Sequence, residues 1–417
     1  MRLTVQLLGI ILFFLAFLFE VSGQVTVLEF LRSAKDDPEI KLFEEQLNYL
    51  QQKPYKLSAL QKLEFRTRSN QLDPTRQDYA IRLNPANPWQ VRNNNSYFKE
   101  YQLVLASKKS IVLKEVLAAR YQLVNNFMYY REFKMLAEED KNLSEAALTV
   151  LGKQQFFDSF KGDDYVKLNL EQMNKTVIWE EASFEMDNQL GRIAQKYPAA
   201  FDQNLEWDYQ RIITVDMIEN AVDSLINEEG SITTLAYQEG KVNLANKQFE
   251  LEKSNINVGF LQTQYEPYRI EQDRKPWNIS LGVTIPITNP NKEDMTKRKL
   301  DVIEAQYDLV EKKSEVQLQK FVQYRSLKNQ IVRYRLIKSK IDELKNSTLA
   351  KTLTEIKSSN PLAAIQFNGN ILKLQGIALK LRQNINATYV EFLGSTDRLQ
   401  QSPIVNYFST DFEEIGF

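Results

Sequence analysis

The 417-residue chain contains no cysteine and no histidine. Without cysteine it forms no disulfide and carries no lipid on an N-terminal thiol. Without histidine it lacks the commonest zinc ligand, the usual general base and every Ser-His or Cys-His nucleophile pair. Glycine and proline are scarce, 13 and 12 residues, which favours long unbroken helices. A basic excess is missing as well. The 53 Lys+Arg face 54 Asp+Glu, for a formal net charge of −1, so nothing marks a nucleic-acid partner. The paired glutamates at 138–139, 180–181 and 228–229 lack the surroundings of a glycosidase or metal site and read as solvated helix faces. No catalytic, metal-binding or cofactor-binding residue is expected, and no enzyme.

Long apolar runs are also lacking, apart from one at the start. Arg2 precedes a nearly pure apolar stretch from Leu7 to Phe19, and Val21-Ser22-Gly23 supplies small residues for cleavage. The run is shorter than the ~20 residues of a spanning helix. Residues 1–23 therefore read as an export signal, with an uncleaved anchor as the alternative. No second such run follows, which excludes a polytopic helical membrane protein. Barrel strands give a much weaker signal and stay open.

What is present is a repeat. Lys108-Lys109-Ser110 meets Lys312-Lys313-Ser314 at an offset of 204 residues, and the same offset pairs Ile81 with Ile285, Asn87 with Asn291 and Tyr130-Arg131 with Tyr334-Arg335. The period is too long for a solenoid of ~33-residue units. It divides the chain into a first repeat, 24–200, a second, 201–397, and a tail, 398–417.

Residues 25–73 read as helical, broken by Pro38 and Pro54. Tyr79, Ile81 and Leu83 alternate with polar neighbours as in a strand within a break at 74–95. A helix of about 60 residues, ~90 Å long at 1.5 Å per residue, is predicted from Ser96 to about Asp158, with Leu117, Tyr121, Val124 and Met128 on its apolar side. Phe160 to Asp164 reads as a tight turn, with Asp163 or Asp164 capping the next helix. On that helix Val166, Leu170, Met173, Val177 and Phe184 form a stripe. The second repeat reads as a helix from about Leu205 to Ser254, with one of Gly230 and Gly240 marking a turn. A hairpin follows, with Ile256, Val258 and Phe260 on one side and Trp277, Ile279, Leu281, Val283 and Ile285 on the other. A second helix of about 60 residues runs to Lys357 and carries two apolar seams, one through Leu300, Ile303, Tyr307 and Val310, the other through Val302, Leu309 and Val316. Two seams require neighbours on two sides. Ser358 to Pro361 turns the chain into a return helix, where Gly369 and Gly376 are expected to let helices approach closely.

Each repeat thus reads as helix, extended segment, very long helix, turn, and long helix ending in Leu190-Gly191 or Leu393-Gly394. Together with Gly282-Val283-Thr284-Ile285-Pro286-Ile287 before the second long helix and Gly162-Asp163-Asp164-Tyr165-Val166 at the first turn, this layout resembles the TolC-like outer-membrane efflux proteins of Gram-negative bacteria. The resemblance implies a mainly α fold: long antiparallel helices in two structural repeats of helical-barrel type, with a small β-hairpin or β-barrel portion. It further implies a homotrimer in the outer membrane with a long periplasmic portion. The partners implied are a periplasmic adaptor (membrane fusion) protein and an inner-membrane transporter, and the role is passive export by efflux or type I secretion. Trp277, Ile279, Leu281, Val283 and Ile285 would then face outer-membrane lipid. Gly162, Asp163, Asp164, Ser359 and Asn360 would form the periplasmic tip or gate.

Two departures are expected. Matching Arg68-Ser69-Asn70 to Lys253-Ser254-Asn255 gives an offset of 185, so the first repeat lacks about 19 residues of hairpin. The turn at Ser358 to Pro361 has neither glycine nor acid. The first departure supports an alternative, a pore-less scaffold or interaction subunit of an envelope complex. Ile415-Gly416-Phe417 weakly resembles the terminal aromatic of barrel proteins.

Overall fold

The computed structural model describes residues 26–69, 73, 75–153, 161–198, 212–228, 233–272, 274–284, 291–355 and 361–416. Among them are nine α-helices and four strands. The first repeat supplies α1 (Val27–Arg32), α2 (Pro38–Gln52), β1 (Leu60–Ser69), β2 (Gln77–Pro85), α3 (Pro88–Lys153) and α4 (Gly162–Lys196). The second supplies α5 (Val215–Leu225), α6 (Thr233–Lys253), β3 (Gly259–Tyr265), β4 (Trp277–Val283), α7 (Lys292–Lys345), α8 (Thr348–Glu355) and α9 (Pro361–Ser395). Residues 1–23, read above as an export signal, lie outside the described residues. No described helix is long and apolar enough to cross a membrane.

Local chemistry fixes most helix starts. Thr26 and Glu29 close a capping box around α1, with Glu29 N donating to Thr26 Oγ1 at 3.1 Å and Thr26 N to Glu29 Oε2 at 3.0 Å; such boxes satisfy two otherwise orphaned donors. Proline stands first in α2, α3 and α9, where its missing N–H costs nothing. Asn87 caps α3 by accepting from Trp89 N at 3.0 Å, and its amide donates to the Ser254 carbonyl at 2.9 Å. Its repeat mate Asn291 donates to the adjacent Asn255 carbonyl at 2.5 Å. One side-chain type thus anchors the start of both long helices.

Four of the expected elements need correction. Leu60–Ser69 is strand, not helix, so the first repeat has a complete hairpin and no 19-residue deficit. The 185-residue match set Ser69, at a strand end, against Ser254, at a helix end. The first long helix starts at Pro88, ahead of Ser96. The predicted helix over 205–254 is two, α5 and α6, with Gly240 inside α6; Gly230 falls outside the described residues. The second long helix stops at Lys345. There Ser347 donates to the Leu344 carbonyl at 2.7 Å and accepts from Ala350 N at 3.1 Å, ending α7 and starting α8.

The chain divides into two compact units. One holds α1, α3 from Leu113, α4, α5, α7 from Leu318, α8, α9 and the tail. Its core joins Phe30, Tyr121, Val124, Ile193, Ile218, Leu327, Ile331, Tyr389, Phe392, Phe408 and Ile415. The tail, which has no periodicity to read, is part of that core. Tyr121 Oη donates to the Val405 carbonyl at 3.2 Å and accepts from Tyr407 N at 3.0 Å, while its ring meets Phe408 edge-on at 4.9 Å. Burial pushes the Tyr121 hydroxyl up from its ordinary pKa, so it stays a neutral donor. Ile415 is fully buried there, and its carbonyl accepts from Arg32 Nε at 2.7 Å. The C-terminal end is therefore part of the helical core, not a barrel strand; Phe417 lies outside the described residues. Arg120 ties α1 to α3 through the Phe30 carbonyl at 2.7 Å and buried Asp37 at 3.8 Å. Gly376 meets nothing within 4 Å and Gly369 only Asp140 Oδ1 at 3.7 Å, so the expected tight helix approach at these glycines is not made.

The other unit holds α2, the four strands, α3 through Val112, α6 and α7 through Gln317. Its strands form one antiparallel sheet in the order β1-β2-β3-β4. The central β2–β3 pair joins the two repeats.

Candidate functional site

Strand alternation gives the sheet two faces of opposite character. Register aligns Leu63 with Leu83, and Leu83 with Leu261 and Leu281 across all four strands. The next rows are Phe65, Ile81, Thr263, Ile279 and then Thr67, Tyr79, Tyr265, Trp277. No charged residue lies on this face. It is also bare: Trp277, Ile279, Leu281 and Val283 are 65–75% exposed. Sequence reading selected these four; Ile285, chosen with them, lies outside the described residues. Tyr79, Tyr265 and Trp277 make an aromatic row near one end, with Tyr265 and Trp277 rings 4.8 Å apart. Aromatic rows of this kind mark a membrane–water boundary.

The opposite face carries every charge in the strands. Lys62, Glu64, Arg66 and Arg68 alternate along β1, and Asp78 and Arg82 along β2. Glu64 is held by Lys62 at 2.7 Å and Arg66 at 2.5 Å. The Arg82 guanidinium lies over the Phe260 ring at 3.4 Å, a cation–π contact. The same ring lies against Gly282, where a Cβ would come within 2.3 Å of it. Gly282 is thus glycine because Phe260 occupies its side-chain space. Gly259, at φ 124°, faces the Gly282 carbonyl, and a Cβ would sit 2.0 Å from that oxygen, so it too has no substitute.

Both sheet edges are unpaired among the described residues: β1 has only β2 beside it and β4 only β3. Unpaired edges are templates for further strands.

Gly162 opens α4, and Asp163 and Asp164 lie in its first turn. Neither aspartate caps the helix, since Lys161 occupies the cap without a side-chain bond. Negative charge there still complements the helix dipole. Asp164 lines a groove with Leu151 of α3 and Leu362, Ile365 and Gly369 of α9. The structure therefore brings the starts of α4 and α9 to one place. Ser359 and Asn360 lie outside the described residues. Deeper in the groove Lys175 bridges Asp140 and Glu171, each at 3.1 Å.

Two apolar stripes read from the sequence are exposed. Val166, Leu170, Met173, Val177 and Phe184 stand bare on α4, and Leu300, Ile303, Tyr307 and Val310 on α7. Sequence reasoning missed an ionic cluster that fastens α5 to α7. Lys328 Nζ meets Glu219 and Asp223, both at 2.7 Å, and Arg335 meets Asp216 at 2.5 Å and Glu219 at 2.6 Å. The Lys328 hydrogen bond, partly offset by burial, and the Arg335 bond hold the Glu219 carboxyl below its usual range. The lysines and arginines of α7 were visible in the sequence, but their partners lie about 100 residues away. Among the described residues no cluster of three His, Cys, Asp or Glu is placed to hold a metal. The glutamates at 138–139 and 180–181 are exposed helix-face residues.

No protein-family model and no curated protein matches the chain. Solved structures do. The Campylobacter jejuni CmeC outer membrane channel is 10% identical with a TM-score of 0.66, covering 89% of this chain and 85% of that one. The open-state MtrE outer membrane channel of Neisseria gonorrhoeae is 10% identical at TM-score 0.63, with 89% and 88% covered. The outer membrane protein VceC of Vibrio cholerae is 7% identical at TM-score 0.62, with 89% and 96% covered. The likeness spans nearly the whole length of each and lies in the fold.

Proposed function

We propose that this chain, which has the fold of the TolC-like outer-membrane channels, is the outer-membrane conduit of an efflux system and does no chemistry of its own. The observation that carries this reading is the sheet: one uncharged, exposed apolar face, one charged face and two open edges. A sheet in lipid must satisfy every backbone group, so its edges must close. Four strands are too few to close alone. Pairing the β1 edge of one copy with the β4 edge of the next gives a head-to-tail ring. Two copies make eight strands, whose interior side chains fill. Three copies make twelve, four from each, and leave room for passage. The bare stripes on α4 and α7 give the helices of such a ring surfaces to share.

Export is passive in this reading, with energy from an inner-membrane transporter reached through a periplasmic adaptor. The tip around Gly162, Asp163, Asp164, Ser359 and Asn360 is the place for opening and for the adaptor. Small molecules are the proposed cargo, with a secreted polypeptide as the variant of the same reading. The pore-less scaffold loses its main support, because the first hairpin is complete. Detergent extraction of the mature protein from outer membranes and single-particle electron microscopy test the proposal. A three-fold tube capped by a closed barrel is expected; a detergent-independent monomer would sink it.

A further inference from the structure

The charges of the sheet are not shared evenly, and their imbalance has a sign. All six charged residues of the strands lie on the polar face, and all six come from β1 and β2. Four are cations, Lys62, Arg66, Arg68 and Arg82, and two are anions, Glu64 and Asp78. Each chain therefore places two excess positive charges on this face, although the whole protein has a net charge of −1. Glu64 is already engaged by two cations, Lys62 and Arg66. Asp78 accepts from the Gln264 amide at 3.2 Å. The strands of the second hairpin place only neutral side chains beside them, such as Gln262, Asn278 and Ser280; just past β3, buried Glu266 accepts from Gln264 and is neutralised by Arg269.

We propose that the barrel lumen selects anions: the polar face of β1 and β2 makes a cationic collar that favours negatively charged solutes over positively charged ones. The inference rests on the pore reading above. In a three-copy ring the excess is six positive charges around one lumen, and low-dielectric walls focus such a field. The Debye length of about 8 Å at physiological salt is comparable with the reach of arginine and lysine side chains into a barrel of this size. Rings of charged side chains are a general device for sorting ions in pores. Arg82 is held flat against Phe260, so its charge stays at the wall. Arg66 and Arg68, both exposed on the edge strand, are the residues expected to set the preference.

The test is the zero-current potential of the full-length mature protein in planar lipid bilayers under a KCl gradient. Chloride preference is expected for the natural sequence. Replacing Arg66→Gln together with Arg68→Gln should shift the potential toward potassium, and Glu64→Gln should shift it further toward chloride. The two variants change charge in opposite directions, so misfolding of one leaves the other decisive. Conductance with potassium preference, or with a potential that neither variant moves, overturns the collar and leaves the pore standing. Protein that inserts and conducts nothing removes the pore, and the collar with it.

Discussion

The two long helices hold the same place in their repeats and use it differently. Helix α3 runs 66 residues without interruption, whereas α7 stops after 54 and is continued by the short α8. Helix α3 buries Tyr121, Val124, Phe127 and Met128 in one core, and Leu117 is fully buried as well. Helix α7 buries fewer, Leu327 and Ile331 among them, and leaves Leu300, Tyr307, Val310, Phe321, Val332 and Leu336 bare. At the 204-residue offset Val124, fully buried, corresponds to Lys328, which fastens α5 by ion pairs. A duplicated framework fixes where the helices lie. Divergence within it buries one of them in the core and leaves the other with a bare apolar surface.

Substitutions on the two helices should separate these roles. Tyr121→Ala removes a buried ring and two hydrogen bonds and should cost about 3–5 kcal/mol in denaturant unfolding; Tyr307→Ala on α7 should stay within about 0.5 kcal/mol for the isolated chain. Equal losses would erase the distinction. A comparable contrast is expected across the sheet. Ile279→Arg should weaken insertion into lipid by about 2–4 kcal/mol, whereas Ser280→Arg on the other face should be accepted, as read by recovery in vesicle flotation. On α7, Val310→Asp withdraws one apolar side chain from the stripe proposed to be shared between copies, worth about 1.5–3 kcal/mol per site. Analytical ultracentrifugation should then show a smaller assembly with unchanged helix content. If mass is unchanged, the bare stripe is not an interface.

The smallest expected effect is on the ion pairs that α7 has where α3 has apolar core. The Glu219 carboxyl has a folded pKa below its ordinary 4.5. Its contribution is therefore complete above that value and is lost as pH falls through the lowered one. The pairs are partly exposed, so about 0.2–1 kcal/mol is at stake. Melting curves of the natural protein and Glu219→Gln should differ above pH 5 and converge at the acid end. A gap that persists in acid would remove the electrostatic explanation.

How much of this was readable in advance follows from which residues alternate with which. In β4, Trp277, Ile279 and Leu281 alternate with small neutral residues, and the strand is plain in the sequence. In β1, Leu63 and Phe65 alternate with Lys62, Glu64, Arg66 and Arg68; mixed charges at that density also suit a solvated helix, so the period of two was hidden. The charges that obscure the strand are those that give the sheet its cationic side. The seams of α4 and α7 were legible as apolar stripes, but periodicity says nothing about which chain covers them. The stop after Lys345 was not legible, because Ser347, whose hydrogen bonds mark it, is tolerated within helices. Leu399, Phe408 and Ile415 are too far apart to show a period, and only the fold reveals them as core. The acidic pair reads as a turn that caps the next helix; it lies inside the first turn of α4 and makes no capping bond.

The open edges of the sheet have a consequence in kinetics. In the proposed ring, the hydrogen bonds that finish a strand belong to two molecules, so completing the sheet and recruiting a neighbour are one event. Its midpoint is then a concentration as much as a temperature. Dilute protein would carry finished helices and an unfinished sheet, and each newly exported copy would spend its early life searching for others before it had a lumen at all.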